Sequence, residues 1–219
     1  MDLNEGNIQK VLDWTYEKVL EGLPGTASVF DLANSYTSKH PTNDKAIKSL
    51  IRWQQGKAGA NGFITGLGGV IVMPVTIPAN VASIIYMQMR MIAAIAHIRG
   101  YDLKDDQVQT FVYACLTGQT AADVVKQTGI KIAQKVGEAQ IKRVPGEILI
   151  KINQRVGFRL ITKFGEKGAI NLGKMIPLLG GVVGGAFDTS TTYVIGKAAN
   201  KTFIENGYET GFDNIIDMD

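Results

Sequence analysis

The stretch Pro78-Ala79-Asn80-Val81-Ala82-Ser83-Ile84-Ile85-Tyr86-Met87-Gln88-Met89-Arg90-Met91-Ile92-Ala93-Ala94-Ile95-Ala96-His97-Ile98 decides the fold. Val81, Ile84, Ile85, Met91, Ile92, Ile95 and Ile98 fall on one face at helical spacing, and Met87, Ala93 and Ala94 fill much of the remaining circumference. A helix that is apolar on most of its surface belongs at the centre of a bundle, because only there do all its faces find apolar partners. Pro78 suits the first turn, where a missing N–H is no loss, and Gly100 suits a left-handed stop. The less apolar side carries Ser83, Tyr86, Arg90 and His97, with Tyr101 just beyond the end. A charge in such surroundings needs a partner, since stranding one member of a buried pair costs about 3–5 kcal/mol. Asp188 is the expected partner of Arg90, with Asp102 and Asp123 as alternatives. A catalytic Arg-His-Asp cluster is the functional counterpart of that structural pairing.

The apolar spacing stays helical along the rest of the chain, and no alternating run bounded by turn residues argues for a sheet. The fold class is therefore all-α, a single multi-helix bundle over residues 1–219. Ile8, Val11, Leu12, Val19 and Leu20 mark a first helix, stopped by Gly22, Pro24 and Gly25. A short second helix follows Ser28 and ends before Pro41. Thr42 or Asn43 caps a third, expected to turn Ile47, Leu50, Ile51 and Trp53 to one face. Beyond the central helix, Asp105-Asp106 opens a helix that ends at Gly118, and others are expected over about 120–142, 145–164 and 177–203. The tail, 207–219, is acidic and expected to fray.

Glycine supplies 25 of 219 residues, about 11% against a usual share of roughly 7%. No charged residue stands between Lys57 and Arg90. That run exceeds the roughly 20 residues of a membrane-spanning helix, but Pro74 and Pro78 interrupt it, and neither half is a comfortable span. Gly62 and Gly66, Gly180 and Gly184, and Gly181 and Gly185 stand four apart. Such pairs flatten one helix face and let another backbone approach, in a tight core or in lipid. Two readings stay open: close packing within the bundle, and entry of segments 62–72 and 177–187 into a membrane.

The net charge of +3 hides a dipolar chain. Between Lys126 and Lys174 stand eleven basic and three acidic residues, a local +8 that leaves −5 for the remainder. Lys151, Arg155, Arg159, Lys163 and Lys167 recur every four residues beside a row of Ile148, Ile152, Val156, Leu160 and Phe164. Like charges at that spacing repel by roughly 0.2–0.5 kcal/mol per pair, so a use for them is expected. An anionic membrane surface suits a basic amphipathic helix: each Lys or Arg contributes on the order of 1 kcal/mol and the apolar row is buried shallowly. Nucleic acid suits it less, because Phe158 and Phe164 are the only aromatics in that stretch for base stacking and no nucleic-acid motif accompanies them. An ordinary solvated face is the structural alternative.

Catalytic and metal constellations do not stand out. His40, His97 and the single Cys115 lie far apart without ligand spacing, so no metal site is expected. No cofactor is expected either: Gln55-Gly56-Lys57-Ala58 lacks the upstream glycine and the Ser or Thr of a phosphate loop, and Gly66-Leu67-Gly68-Gly69 misses the dinucleotide spacing. There is no Gly-x-Ser-x-Gly elbow. Cys115, between Ala114 and Leu116, reads as a buried thiol. Met1-Asp2-Leu3-Asn4-Glu5 has neither the basic region nor the apolar run of a secretory leader, so the expected location is cytoplasmic, peripheral at the inner face of the membrane.

Gly66-Leu67-Gly68-Gly69 leads through Pro74 and Pro78 into the central helix and on to Ile92-Ala93-Ala94-Ile95-Ala96-His97-Ile98-Arg99-Gly100-Tyr101-Asp102-Leu103. That block resembles the EcsC protein family, and so does Ile176-Pro177-Leu178-Leu179-Gly180-Gly181-Val182-Val183-Gly184-Gly185-Ala186-Phe187. The resemblance covers about residues 47–203, with Arg99 standing where the family commonly has an aromatic. It implies a bacterial helical protein, from a family named for a member encoded beside an ABC transporter, and it brings no catalytic residues with it. The expected function is non-enzymatic: docking on an anionic membrane surface or a membrane protein complex through Lys151, Arg155, Arg159, Lys163 and Lys167. Two alternatives remain. One is an effector that inserts its glycine-rich segments into lipid; the other is an enzyme or amphiphile carrier with a pocket lined by Met87, Arg90, Met91 and Tyr101.

Overall fold

The structure, a computed structural model, describes residues 5–59, 79–127, 144–164 and 182–204. Among the described residues there are eight helices and no strand: α1 (Glu5–Glu21), α2 (Val29–Thr37), α3 (Asn43–Gly59), α4 (Ala79–Ile98), α5 (Asp106–Leu116), α6 (Ala121–Lys126), α7 (Gly146–Phe164) and α8 (Val182–Thr202). The all-α reading holds, and α4 lies where its composition demanded. It packs against α1, α2, α3, α5 and α8, so Ile92, Ala93, Ala94, Ile95 and Ala96 are wholly inaccessible. Ser83 and Tyr86, from its less apolar side, are buried as well.

Local sequence sets the helix ends. Ser28 caps α2 and exchanges hydrogen bonds with Asp31 in a capping box. The Thr42 hydroxyl accepts from the Lys45 amide, which makes Thr42 the start of α3. Gly100, at φ +90°, takes the left-handed turn that ends α4. Gly22, at φ +85°, has a second constraint: a Cβ there would sit 3.0 Å from the Thr26 carbonyl oxygen.

Contacts between elements fix their directions. Ala27, just before α2, meets Arg90 and Phe30 meets His97, so α2 packs along the second half of α4. Ile51 lies against Gly196, while Asp44 and Asn200 both bind Arg99, so α3 and α8 run antiparallel. The side chain of Arg99 is 8% exposed and joins the end of α4 to the start of α3 and the end of α8. An Asp13–Tyr113–Gln109 hydrogen-bond cluster ties α1 to α5, with Tyr16 edge-on to Tyr113 at 5.8 Å.

One face was drawn wrongly from the spacing. Trp53 is 46% exposed, whereas Gln54 is buried beside Ile47, Leu50 and Ile51. Residues turn by about 100° each along an α-helix, so position 54 follows 47 by almost two full turns and position 53 swings off the seam. Gly62, Gly66, Gly180 and Gly181 lie outside the described residues. So do the bend at 73–77, the expected helix beyond Gln127, the helix start at 177 and the tail 207–219. Gly184 and Gly185 fall in the opening turns of α8, and their packing lies outside the description. No described helix is long and apolar enough to cross a membrane.

Candidate functional site

α7 packs against α1, α5 and α6. Ile148, Ile152, Val156 and Leu160 are buried, and at Gly157 the Cγ2 of Ile8 lies 3.1 Å from where a side chain would begin. The apolar row expected to be buried in lipid thus belongs, in its four described members, to the protein core; the Phe164 side chain lies outside the described residues. A surface helix of a bundle and an interfacial membrane helix share one amphipathic pattern, and here the bundle takes the apolar face.

The basic row lies on the outer side. Lys151 and Arg155 are exposed, while Arg159 is partly covered and donates from Nη2 to the Gln127 side-chain oxygen at 3.2 Å. Each four-residue step also rotates by about 40°, so the row winds around α7 instead of running straight along it. The Lys163 side chain and Lys167 lie outside the described residues.

Two apolar side chains share this outer face. Ile150 is 59% exposed and Phe158 58% exposed, with the exposed Gln154 between them, in a row adjacent to Lys151 and Arg155. The sequence reading passed over both, although a signal was present. Ile150 stands two residues from Ile148 and from Ile152, and Phe158 two residues from Val156 and from Leu160. Two residues rotate by about 200°, so each must point away from a buried pair.

The residues expected to form a buried polar cluster do not converge. Arg90 and His97 both face α2, two helical turns apart. Arg90 donates from Nη2 to the Ala27 carbonyl, and its buried Nε finds no partner among the described residues. Burial lowers its pKa, opposed by Tyr86, Asp31 and Tyr36 nearby. The His97 ring stands edge-on to Phe30 at 5.0 Å, and burial lowers its pKa too. Tyr101 turns to the end of α8, packing on Phe203 at 5.1 Å and donating to the Ile204 carbonyl at 3.2 Å. Met91 is wholly buried in the core and Met87 half-buried. Among the described residues, no hydrogen bond or ring contact joins Met87, Arg90, Met91 and Tyr101 to one another. The Asp188 side chain lies outside the description. Its alternatives bind elsewhere: Asp102 accepts from the Lys104 amide at 2.9 Å and Asp123 from the Thr120 hydroxyl at 2.6 Å.

Cys115 is fully buried, and burial pushes its thiol up to about 12. Its Sγ lies 3.4 Å from the Thr202 hydroxyl, which also accepts from the Ala121 amide at 3.0 Å and so ties α5, α6 and α8 together. Such a thiol is structural, because the reactive thiolate is suppressed. Among the described residues, no group of His, Cys, Asp and Glu side chains could hold a metal ion.

No solved structure matches the chain. A Bacillus subtilis (strain 168) protein named "Uncharacterized protein YdbA" is 28% identical over 153 residues, covering 69% of this chain and 53% of its own length. The chain thus spans about half the length of that curated relative. The sequence profile of the EcsC protein family matches residues 13–204, an extent that begins within α1, well before residue 47 where the resemblance was expected to start. With α2 to α8 and the second half of α1 inside that match, the chain belongs to the EcsC protein family.

Proposed function

We propose that the protein docks reversibly on an anionic membrane surface through the outer face of α7. The observation that carries this reading is the pair Ile150 and Phe158, more than half exposed, beside the exposed Lys151 and Arg155. A lone exposed apolar side chain means little, because much of any protein surface is apolar. Two on one short helical face, flanked by cations, match the two layers a membrane presents: phosphates outside and an apolar boundary beneath. On this reading the protein works on the cytosolic side of the membrane, where anionic lipids concentrate, and carries out no chemistry of its own.

Co-sedimentation with vesicles tests this directly. The wild type is expected to bind phosphatidylglycerol-containing vesicles and to leave pure phosphatidylcholine vesicles unbound. Lys151→Glu combined with Arg155→Glu should abolish that binding. Phe158→Ser should weaken it by about 100-fold, since removing a roughly half-exposed phenyl group from the interface forfeits about 3 kcal/mol. All three side chains are exposed, so thermal unfolding should stay unchanged. Equal binding to neutral and anionic vesicles, or none to either, would refute the reading.

A further inference from the structure

The face that α7 presents does not end at α7. α6 touches both α7 and α8 and so bridges them. A polar relay crosses the gap: Arg159 donates to Gln127, and Gln127 donates to Gln119 at 3.3 Å. Gln119 lines a groove of about 380 Å³ between the α5–α6 turn and α8, together with Thr120, Asp123, Lys197 and Lys201. Val194 forms one wall, and its Cγ1 lies 3.3 Å from where a Gly118 side chain would begin.

The groove repeats the chemistry of α7. Tyr193 is 40% exposed and Val194 50% exposed, next to two lysines. The Lys197 ammonium sits over the Tyr193 ring, 5.1 Å from its centroid, which holds the aromatic beside the charge. The described charged side chains of α6, α7 and α8 are Lys126, Lys151, Arg155, Arg159, Lys197 and Lys201 against two carboxylates, Asp123 and Glu147. One of those two, Asp123, is occupied by the Thr120 hydroxyl.

We infer that this groove is a second membrane contact: it seats the phosphate of an anionic phospholipid headgroup between Lys197 and Lys201 while Tyr193 and Val194 enter the acyl boundary. The occupant is argued from charge complementarity and from continuity with the α7 face, and the inference rests on the membrane-docking reading above. Two apolar prongs, Ile150 with Phe158 and Tyr193 with Val194, then define a plane and fix the orientation of the bundle on the bilayer. One prong alone leaves the protein free to tilt.

The test uses the full chain and vesicles of phosphatidylglycerol and phosphatidylcholine. Lys197→Gln with Lys201→Gln should lower partitioning by about 30-fold, two surface cations being lost. Val194→Cys carrying a nitrobenzoxadiazole label should shift its emission to the blue on anionic vesicles; the native Cys115 is buried and leaves the label site-specific. If the lysine variant partitions like the wild type and the label stays aqueous, while Lys151→Glu with Arg155→Glu abolishes binding, the groove is no contact and docking through α7 alone stands. If the wild type binds no vesicle, both readings fall. Unchanged thermal unfolding of each variant shows that the fold is intact.

Discussion

Replacing Gly196 by alanine tests how closely α8 approaches α3. A Cβ at that position would lie 2.8 Å from Ile51 Cγ1, 3.0 Å from Cγ2 and 3.2 Å from Cδ1. Carbon atoms pack best at roughly 3.5–4.0 Å, so three overlaps arise at once, two of them with atoms anchored on the Ile51 Cβ. Overpacking of this kind costs about 2–3 kcal/mol, and the better helix propensity of alanine offsets about 1. The net expectation is a loss of about 1–2 kcal/mol, or a fall in melting temperature of about 3–7 °C for a chain of this size. Second-site variants sharpen the test. Ile51→Val keeps both γ carbons and should not rescue Gly196→Ala. Ile51→Ala removes them; it leaves a cavity costing about 2–5 kcal/mol alone, but the double variant should be more stable than the sum of the two losses by about 2–3 kcal/mol, the whole of the relieved overlap. Urea unfolding of the four proteins measures the coupling. A Gly196→Ala protein as stable as the wild type, or stabilised by the propensity gain alone, would refute the close approach.

Three other outcomes are expected. Arg99→Ala should cost about 1–3 kcal/mol, because a nearly buried guanidinium loses bonds to Asp44 and Asn200; Asp44→Asn should cost about 1 or less, the carboxylate being exposed and screened, and a neutral Arg99→Ala in urea unfolding would show that the junction bears no weight. Cys115 should resist Ellman's reagent at pH 8 in the native protein and react at once in guanidinium, and rapid native labelling would contradict its burial. Alkaline pH should destabilise the fold. The Cys115 thiol is raised to about 12 in the native state and burial also raises Tyr16 and Tyr113, so above the ordinary thiol value of about 9 the unfolded chain holds fewer protons and stability falls with rising pH, by up to about 1.4 kcal/mol per unit from the thiol alone. A flat urea midpoint between pH 9 and 11 would count against it.

The central helix was legible because an apolar surface on every side has only one comfortable place in a bundle, and α4 is there. Helix ends were legible for a similar reason: Ser28, Thr42 and Gly100 carry local chemistry that acts before any tertiary contact. What Arg90 binds among the described residues was not legible. Its described contact is the backbone carbonyl of Ala27, sixty-three residues away, and no residue type advertises a carbonyl that happens to face a neighbouring helix. The glycines four apart, where close packing was expected, lie outside the description; among the described helical residues it occurs at Gly196 and Gly157, each an isolated glycine meeting one isoleucine. What matters there is the size of the opposing side chain, which spacing within one helix does not encode. Arg99 is a similar case: its partners, Asp44 and Asn200, are near in space and remote in sequence.

If the protein docks on a membrane as proposed, the energetics of the α7 face make that helix alone an incomplete contact. Phe158 exposes 58% of a side chain of roughly 200 Å², so covering it with lipid contributes about 3 kcal/mol at most, and Ile150 at 59% contributes a little less. Lys151, Arg155 and the partly engaged Arg159 add about 1 kcal/mol each near an anionic surface. The ceiling is therefore about 8 kcal/mol before any cost of orienting the protein, not far above a single myristoyl chain, whose binding is itself marginal and reversible. High salt removes only the electrostatic part, roughly two decades of affinity, and leaves the apolar part in place. A protein held this way samples the membrane and leaves it. On the same proposal, a second contact on α8 would add its own apolar and cationic contributions while much of the orientational cost had already been met by α7, so the two faces together would reach an affinity that neither reaches alone.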